Sequence, residues 1–275
     1  MRKRLALAMR RNPIRQARYL APALEKGLDI LELLAFASDA LGRSEIARRL
    51  GRTMSEVFRM LVCLEDRGYI CRVGADERYQ LTLRLFELSH QQHPLQRMVA
   101  QARALMQHVA VKTGQSCHLT MINNAQVVVV AQVDAPGNMG FSLRLGANVE
   151  LLNTASGHVI LAFQNDLGQA RALAEWKRRT GKAAPAGLAR HLGAIRSRGY
   201  EELASYQVRG VVNISFPVFN QHGEAIAAMA VPFLARIGAG IGRSKVREAL
   251  ASATHTLSAS LGGKKLGLAS RPTSP

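Results

Sequence analysis

Two groups of residues in this 275-residue chain have the types and spacing to do chemistry. The first is Ser44, Thr53, Ser55, Arg59, Arg72 and Arg78. Hydroxyl and guanidinium groups pair with phosphate oxygens, and an arginine also grips two acceptors of guanine in a major groove. The second is Asn153-Thr154-Ala155-Ser156-Gly157, together with Val211, Asn213 and Ser215 farther along. These offer hydroxyls, an amide and helix-end N–H groups to a small polar or anionic ligand. His118, Met121 and Phe141 are weaker candidates for the wall of the same site, with ordinary strand packing as their alternative role. Catalytic and metal-binding patterns are missing. His90, His93, His108, His118, His158, His191, His222 and His255 form no HExxH and have no CxxC companion. No GxSxG, Walker loop or dinucleotide fingerprint occurs. Cys117 and His118 are neighbours on an expected strand and point to opposite faces, which argues against a nucleophile pair. No catalytic residue, metal or cofactor is expected.

The elements that must position the first group lie between Arg43 and Thr82. A helix is expected to open at Ser44 as N-cap, carry Ile46, Ala47 and Leu50 on one face, and turn at Gly51. Thr53 and Glu56 form a capping box for a second helix, whose Val57, Met60, Leu61 and Leu64 recur at helical spacing until Gly68. That face leaves Ser55 and Arg59 on the other side. Tyr69 to Val73 and Arg78 to Thr82 alternate around Gly74-Ala75-Asp76-Glu77 as a hairpin, with Arg72 and Arg78 flanking its tip. Any one of these pieces fits an ordinary core helix or hairpin. Their order is that of a winged helix-turn-helix, a DNA reader. Upstream, Pro22 starts a helix whose Leu24, Leu28, Leu31, Leu34 and Phe36 are expected to pack beneath the reader.

The second group calls for a mixed fold. Strands are expected at residues 116–122, 126–134 and 141–145, then helices at 155–163, 167–179 and 188–198, strands at 211–219 and 225–233, and a last helix at 244–261. This is an α+β arrangement. The run before Ala155 would deliver N–H groups and hydroxyls at a helix start, although Thr154 and Ser156 can equally serve as plain caps. Alternation sets Asn213 and Ser215 on one face of their strand. A helix with Leu95, Met98, Val99, Ala102, Leu105, Met106 and Val109 as its apolar stripe would link the two parts.

With 37 basic and 19 acidic residues, the net charge of +18 favours a polyanionic partner. The excess is spread widely: residues 1–90 hold 17 basic and 11 acidic side chains, and residues 91–275 hold 20 and 8. Cys63, Cys71 and Cys117 are odd in number and unpaired in pattern, which fits a reducing cytoplasm. Leu5 to Met9 is too short for a signal segment, and the uncharged stretch 113–133 carries too many amides to enter a membrane. The expected layout is a basic flexible arm (1–20), a winged helix-turn-helix domain (21–90), a linker helix (91–113), a ligand-binding domain (114–262) and a disordered tail (263–275).

The segments PALEKGLDILELLAF, SEIARRLG, VFRMLVCLEDRGYI and RYQLTLRLFEL resemble the DNA-binding domain of the IclR family of bacterial transcriptional regulators, from about Pro22 to Leu88. Residues from about Leu95 to Leu261 are similar to the GAF-like effector domain of the same family. The resemblance implies a homodimer, or a tetramer of two dimers, that binds double-stranded operator DNA under control of a small-molecule effector, with a carboxylate as the default. It also implies that the small-residue run at Thr154 to Gly157 belongs to the effector pocket. Two positions depart from the family pattern: Asn213 stands where a cysteine is common, and Tyr206 where an acid is common. The competing reading is a small-molecule sensor or enzyme whose winged helix is a protein-interaction module.

Overall fold

The computed structural model of the protein describes residues 21–90, 93–138, 140–235 and 241–263. The expected basic arm and all but the first residue of the expected disordered tail lie outside the described residues. The chain divides into two compact units, one reaching to Pro94 and the other starting at Leu95.

In the first unit, α1 (Pro22–Phe36) opens with proline, whose missing N–H costs nothing in a first turn. It buries Gly27, Ile30, Leu33 and Leu34. The stripe expected from sequence is therefore rotated, because Leu24, Leu28 and Phe36 are exposed. The helix carries two overlapping apolar rows, and the core is built on the row that contains Ile30 and Leu33. Helix α2 (Arg43–Leu50) takes Gly42 as its N-cap, with no side-chain cap, so Ser44 is an exposed residue inside the first turn and not the cap. The reason lies just upstream: Leu41 exchanges backbone hydrogen bonds of 3.0 and 2.9 Å with Tyr79, which holds the chain extended up to the glycine.

Gly51, in the left-handed conformation at φ 62°, then turns the chain into α3 (Met54–Asp66). The capping box is formed as the sequence indicated: Thr53 Oγ1 accepts from the Glu56 N–H at 3.3 Å, and the Glu56 carboxylate accepts from the Thr53 N–H at 3.0 Å. Strands β1 (Ile70–Val73) and β2 (Arg78–Leu81) form the antiparallel hairpin, with Val73 opposite Arg78. Ile30, Leu33, Ile46, Val57, Leu61, Ile70 and Tyr79 close a single core beneath these elements. A short helix, α4 (Arg84–His90), follows.

The second unit is built on a six-stranded antiparallel sheet. Its strands are β3 (Cys117–Asn123), β4 (Gln126–Val133), β5 (Asn148–Glu150), β6 (Glu201–Ala204), β7 (Val211–Phe219) and β8 (Ala225–Leu234), in the spatial order β5-β4-β3-β8-β7-β6. Helix α5 (His93–Thr113) supplies Met98, Ala102, Met106 and Val109 to the core on one face, together with Val246, Leu250 and Leu257 of α9 (Arg243–Ser260). The expected linker helix is thus packed into this unit. Helices α6 (Ala155–Ala162), α7 (Asp166–Thr180) and α8 (Leu188–Arg198) build a second core on the other face, around Val159, Ile160, Trp176 and Ile195.

Two local expectations differ from the structure. Residues 141–145 are not a strand; the edge strand is β5, after a turn in which the Gly146 N–H donates to the Val129 carbonyl. β6 was not expected, being only four residues long and following directly on Gly199 and Tyr200.

Candidate functional site

Helix α3 buries Val57 and Leu61, so the opposite face, with Ser55 and Arg59, stands exposed. Arg59 has no ion-pair or hydrogen-bond partner for its guanidinium among the described residues. Beside it, Arg43 of α2 lies over the exposed Phe58 ring, 5.3 Å from its centroid. The Thr53 hydroxyl is engaged in the cap, which leaves the N–H groups of Met54 and Ser55 open to solvent by their position in the first turn. Lys26, then Thr53, hold the Glu56 carboxyl at about 2, far below its ordinary value, so the cap stays ionised.

The hairpin arginines are differently placed. Arg72 makes a two-pronged pair with Glu65, with Nε and Nη2 each at 2.9 Å, and its Nη1 reaches Glu77 at 3.0 Å. Arg78 lies 3.7 Å from Glu45. Both are exposed, but each already has a carboxylate partner.

In the second unit a pocket opens at the N-terminus of α6. His118 and Thr120 of β3 form one wall and Asn213 of β7 another, with Thr154, Ala155 and Ser156 at the helix end. Phe141 and Leu143 cover it from the strandless segment, and Ser205, Tyr206 and Gln207 from the loop after β6. The space between these side chains is about 470 Å³, part of it open to solvent. Among the described residues, no lysine, arginine, aspartate or glutamate lines it. Burial pushes the His118 imidazole down to about 4, so the ring is neutral at pH 7, and its Nδ1 is buried without a hydrogen-bond partner. A buried unpaired ring nitrogen in a polar pocket is an open hydrogen-bonding position.

Of the residues singled out in the sequence, His118, Phe141, Thr154, Ala155, Ser156 and Asn213 are brought together at this pocket. The others have different neighbours. Thr154 also caps α6, accepting from the Gly157 N–H at 3.1 Å. Gly157 lies beneath the lining: a Cβ there would meet the Leu151 carbonyl oxygen at 2.0 Å, so its contribution is close packing of the helix start. Ser215 is fully buried with its hydroxyl 3.2 Å from that of Ser156, which it orients. Val211 is buried on the strand, outside the lining. Met121 packs against the core of α5 and α9, because strand alternation turns it away from the face that holds His118 and Thr120. Sequence reasoning missed Thr120, Val127, Leu143, Val149, Ser205 and Gln207. Their signal was faint, since three of them lie in segments whose conformation depends on the unexpected β6 and on the missing third strand.

A DNA-reading winged helix-turn-helix followed by an α+β unit with a small polar pocket defines a ligand-responsive transcriptional regulator. Residues 23–74 match the IclR helix-turn-helix domain, and residues 92–259 match the C-terminal domain of bacterial transcriptional regulators of the IclR type. The chain belongs to the IclR family. It is 29% identical over 197 residues to the HTH-type transcriptional regulator KdgR of Escherichia coli, covering 70% of this chain and 75% of that one. The IclR structure of Thermotoga maritima superposes with a TM-score of 0.66 at 26% identity, covering 87% of this chain and 98% of that one. An IclR homologue of Microbacterium hydrocarbonoxydans, complexed with 4-hydroxybenzoate, superposes with a TM-score of 0.69 at 21% identity, covering 87% and 98%. The N-terminal unit is therefore the DNA-binding domain and the C-terminal unit the effector domain of a transcriptional regulator. Among the described residues no helix is long and apolar enough to cross a membrane.

Proposed function

We propose that the protein acts as a cytoplasmic homodimer that binds a pseudo-palindromic operator and releases or tightens it when a small carboxylate occupies the α6 pocket. The observation that carries the effector half is the pocket itself: uncharged among the described residues, lined by polar and apolar side chains, and facing a helix N-terminus, with the His118 Nδ1 unpaired. A carboxylate there would take the free N–H groups at the start of α6, where the helix dipole favours negative charge. The Asn213 amide and the hydroxyls of Ser156, Ser205 and Tyr206 would select the rest of the ligand by hydrogen bonding.

On the DNA side, Arg59 and Ser55 would enter the major groove, with Thr53 and Ser44 near the flanking phosphates. Arg72 and Arg78 would reach the backbone only by exchanging Glu65, Glu77 and Glu45 for phosphates. Arg59 is therefore the first residue to test. Arg59→Ala should weaken operator binding by about 1–3 kcal/mol while leaving the circular dichroism spectrum and the oligomeric state unchanged; equal affinity would remove Arg59 from the interface.

For the effector, a thermal-shift panel of small carboxylates and amides run on the wild type and on Asn213→Ala is decisive. A ligand that stabilises the wild type and loses its effect in the variant places it beside Asn213. Stabilisation that persists unchanged in Asn213→Ala would move the binding site elsewhere.

A further inference from the structure

Three side chains from three elements converge on one point. They are His158 of α6, His191 of α8 and Glu201 of β6, with one ligand atom of each within 4.8 Å of the others. His191 Nε2 is 2.6 Å from Glu201 Oε2 and 3.2 Å from His158 Nδ1, and His158 Nδ1 is 3.7 Å from Glu201 Oε2. The edge of a tetrahedron with bonds of 2.0–2.1 Å is about 3.3 Å, the spacing around which these three distances scatter.

The hydrogen bonding leaves the cluster short of donors. His158 Nε2 is 3.0 Å from the Leu152 carbonyl, which can only accept, so Nε2 carries a proton, and in the neutral ring Nδ1 turns a lone pair inward. The Glu201 side chain is 1% exposed, and its Oε2 has no directed hydrogen bond. With both imidazoles neutral, two buried acceptors face each other, and His191 Nε2–H has one proton to give. One acceptor stays unsatisfied whichever way that proton points. A cation bound by all three satisfies each of them at once. The surroundings suit a metal ligand set: a backbone carbonyl orients one imidazole, and Arg198 holds the other carboxylate oxygen of Glu201. His191 is 39% exposed, which supplies an entry route and an open fourth position.

We propose that His158, His191 and Glu201 form a Zn²⁺ site that ties α6 to α8 and β6. Two imidazoles and one carboxylate are a donor set of the borderline divalent ions, and two of the three are fixed before the ion arrives. The ion would clamp the helix whose first turn forms the pocket, so its occupancy would stiffen the pocket floor.

The test is a zinc titration of the full chain, stripped with EDTA and dialysed, against a chromophoric zinc competitor, alongside the same titration of His191→Ala. The side chain of His191 is partly exposed, so its removal should leave the fold intact. The expected result is one equivalent of zinc per chain for the wild type, at least tenfold weaker binding in His191→Ala, and a higher melting temperature with zinc in the wild type alone. If His191→Ala fails to fold, the wild type loaded with Co²⁺ decides: an intense visible d–d spectrum of a four-coordinate site supports the proposal, and the weak spectrum of hydrated Co²⁺ overturns it. Absence of wild-type binding, or binding of equal strength in His191→Ala, also overturns it, the latter marking adventitious sites on other histidines.

Discussion

His118 shows how one buried side chain can carry a pH signature. Its ring is neutral in the folded protein down to about pH 4, whereas in the unfolded chain it takes a proton near its ordinary value of 6.5. Between those two values the unfolded state binds more protons, so stability rises with pH across that window and is level above it. A shift of this size corresponds to about 3 kcal/mol. The second unit should therefore resist urea less as the pH falls from 6.5 to 4, and His118→Asn should remove about that much of the fall; parallel curves for the two proteins would mean that the ring is hydrated. The cysteines divide in the same way by environment. Cys63 is exposed on α3, two turns from Ser55, while burial raises the Cys117 thiol well above its ordinary range. Iodoacetamide should modify Cys63 readily and Cys117 only after unfolding. Saturating operator DNA should slow the Cys63 reaction severalfold, read by mass spectrometry of the tryptic peptide, and an unaltered rate would place α3 outside the groove.

At the scale of elements, α6 is the hinge between core and site, because all eight of its residues are buried and its first turn faces the pocket. Such a helix has no polar face to mark its orientation, so close packing must set it. Gly157 does this: a Cβ added there would lie 2.0 Å from the Leu151 carbonyl oxygen. Gly157→Ala should destabilise the second unit by about 3 kcal/mol through overpacking, seen as a lower denaturant midpoint for that unit with the first unit unchanged. A loss below about 0.5 kcal/mol would show that the helix start can move aside. This element also shows what was legible beforehand. The helix, its Thr154 cap and strand β7 could be read from residue type and period, as could the capping box and hairpin of the reader. The rotation of α1 could not, since Leu24-Leu28-Leu31 and Gly27-Ile30-Leu34 are both apolar rows and only the partner elements choose between them. Nor could the cluster of His158, His191 and Glu201, whose spacings of 33 and 10 residues match no local ligand motif and acquire meaning only when α6, α8 and β6 meet.

At the scale of the whole molecule, the distribution of charge bears on how DNA would be held. The folded reader is not basic: residues 21–90 contain ten basic and eleven acidic side chains, and residues 1–20 contain seven basic and no acidic ones. Within the reader several arginines and lysines are already matched, Lys26 to Glu56, Arg52 to Asp29 and Arg72 to Glu65. A neutral surface with one unpaired arginine on its recognition helix can read bases, but it displaces few counterions. Phosphate neutralisation must then come from elsewhere in the chain, and the N-terminal segment is the densest source. Counterion release predicts a slope of log K against log salt of about −0.9 per phosphate contact. Deleting residues 2–20 should therefore flatten that slope by several units and lower affinity at 50 mM salt far more than at 200 mM, with sequence preference among operator variants retained. Arg59→Ala should do the reverse, costing discrimination between sequences while shifting the slope by no more than about one unit. The two variants separate reading from holding. If both flatten the slope equally, the division of labour between segment and helix is wrong, and the paired arginines of the hairpin must open to meet the backbone.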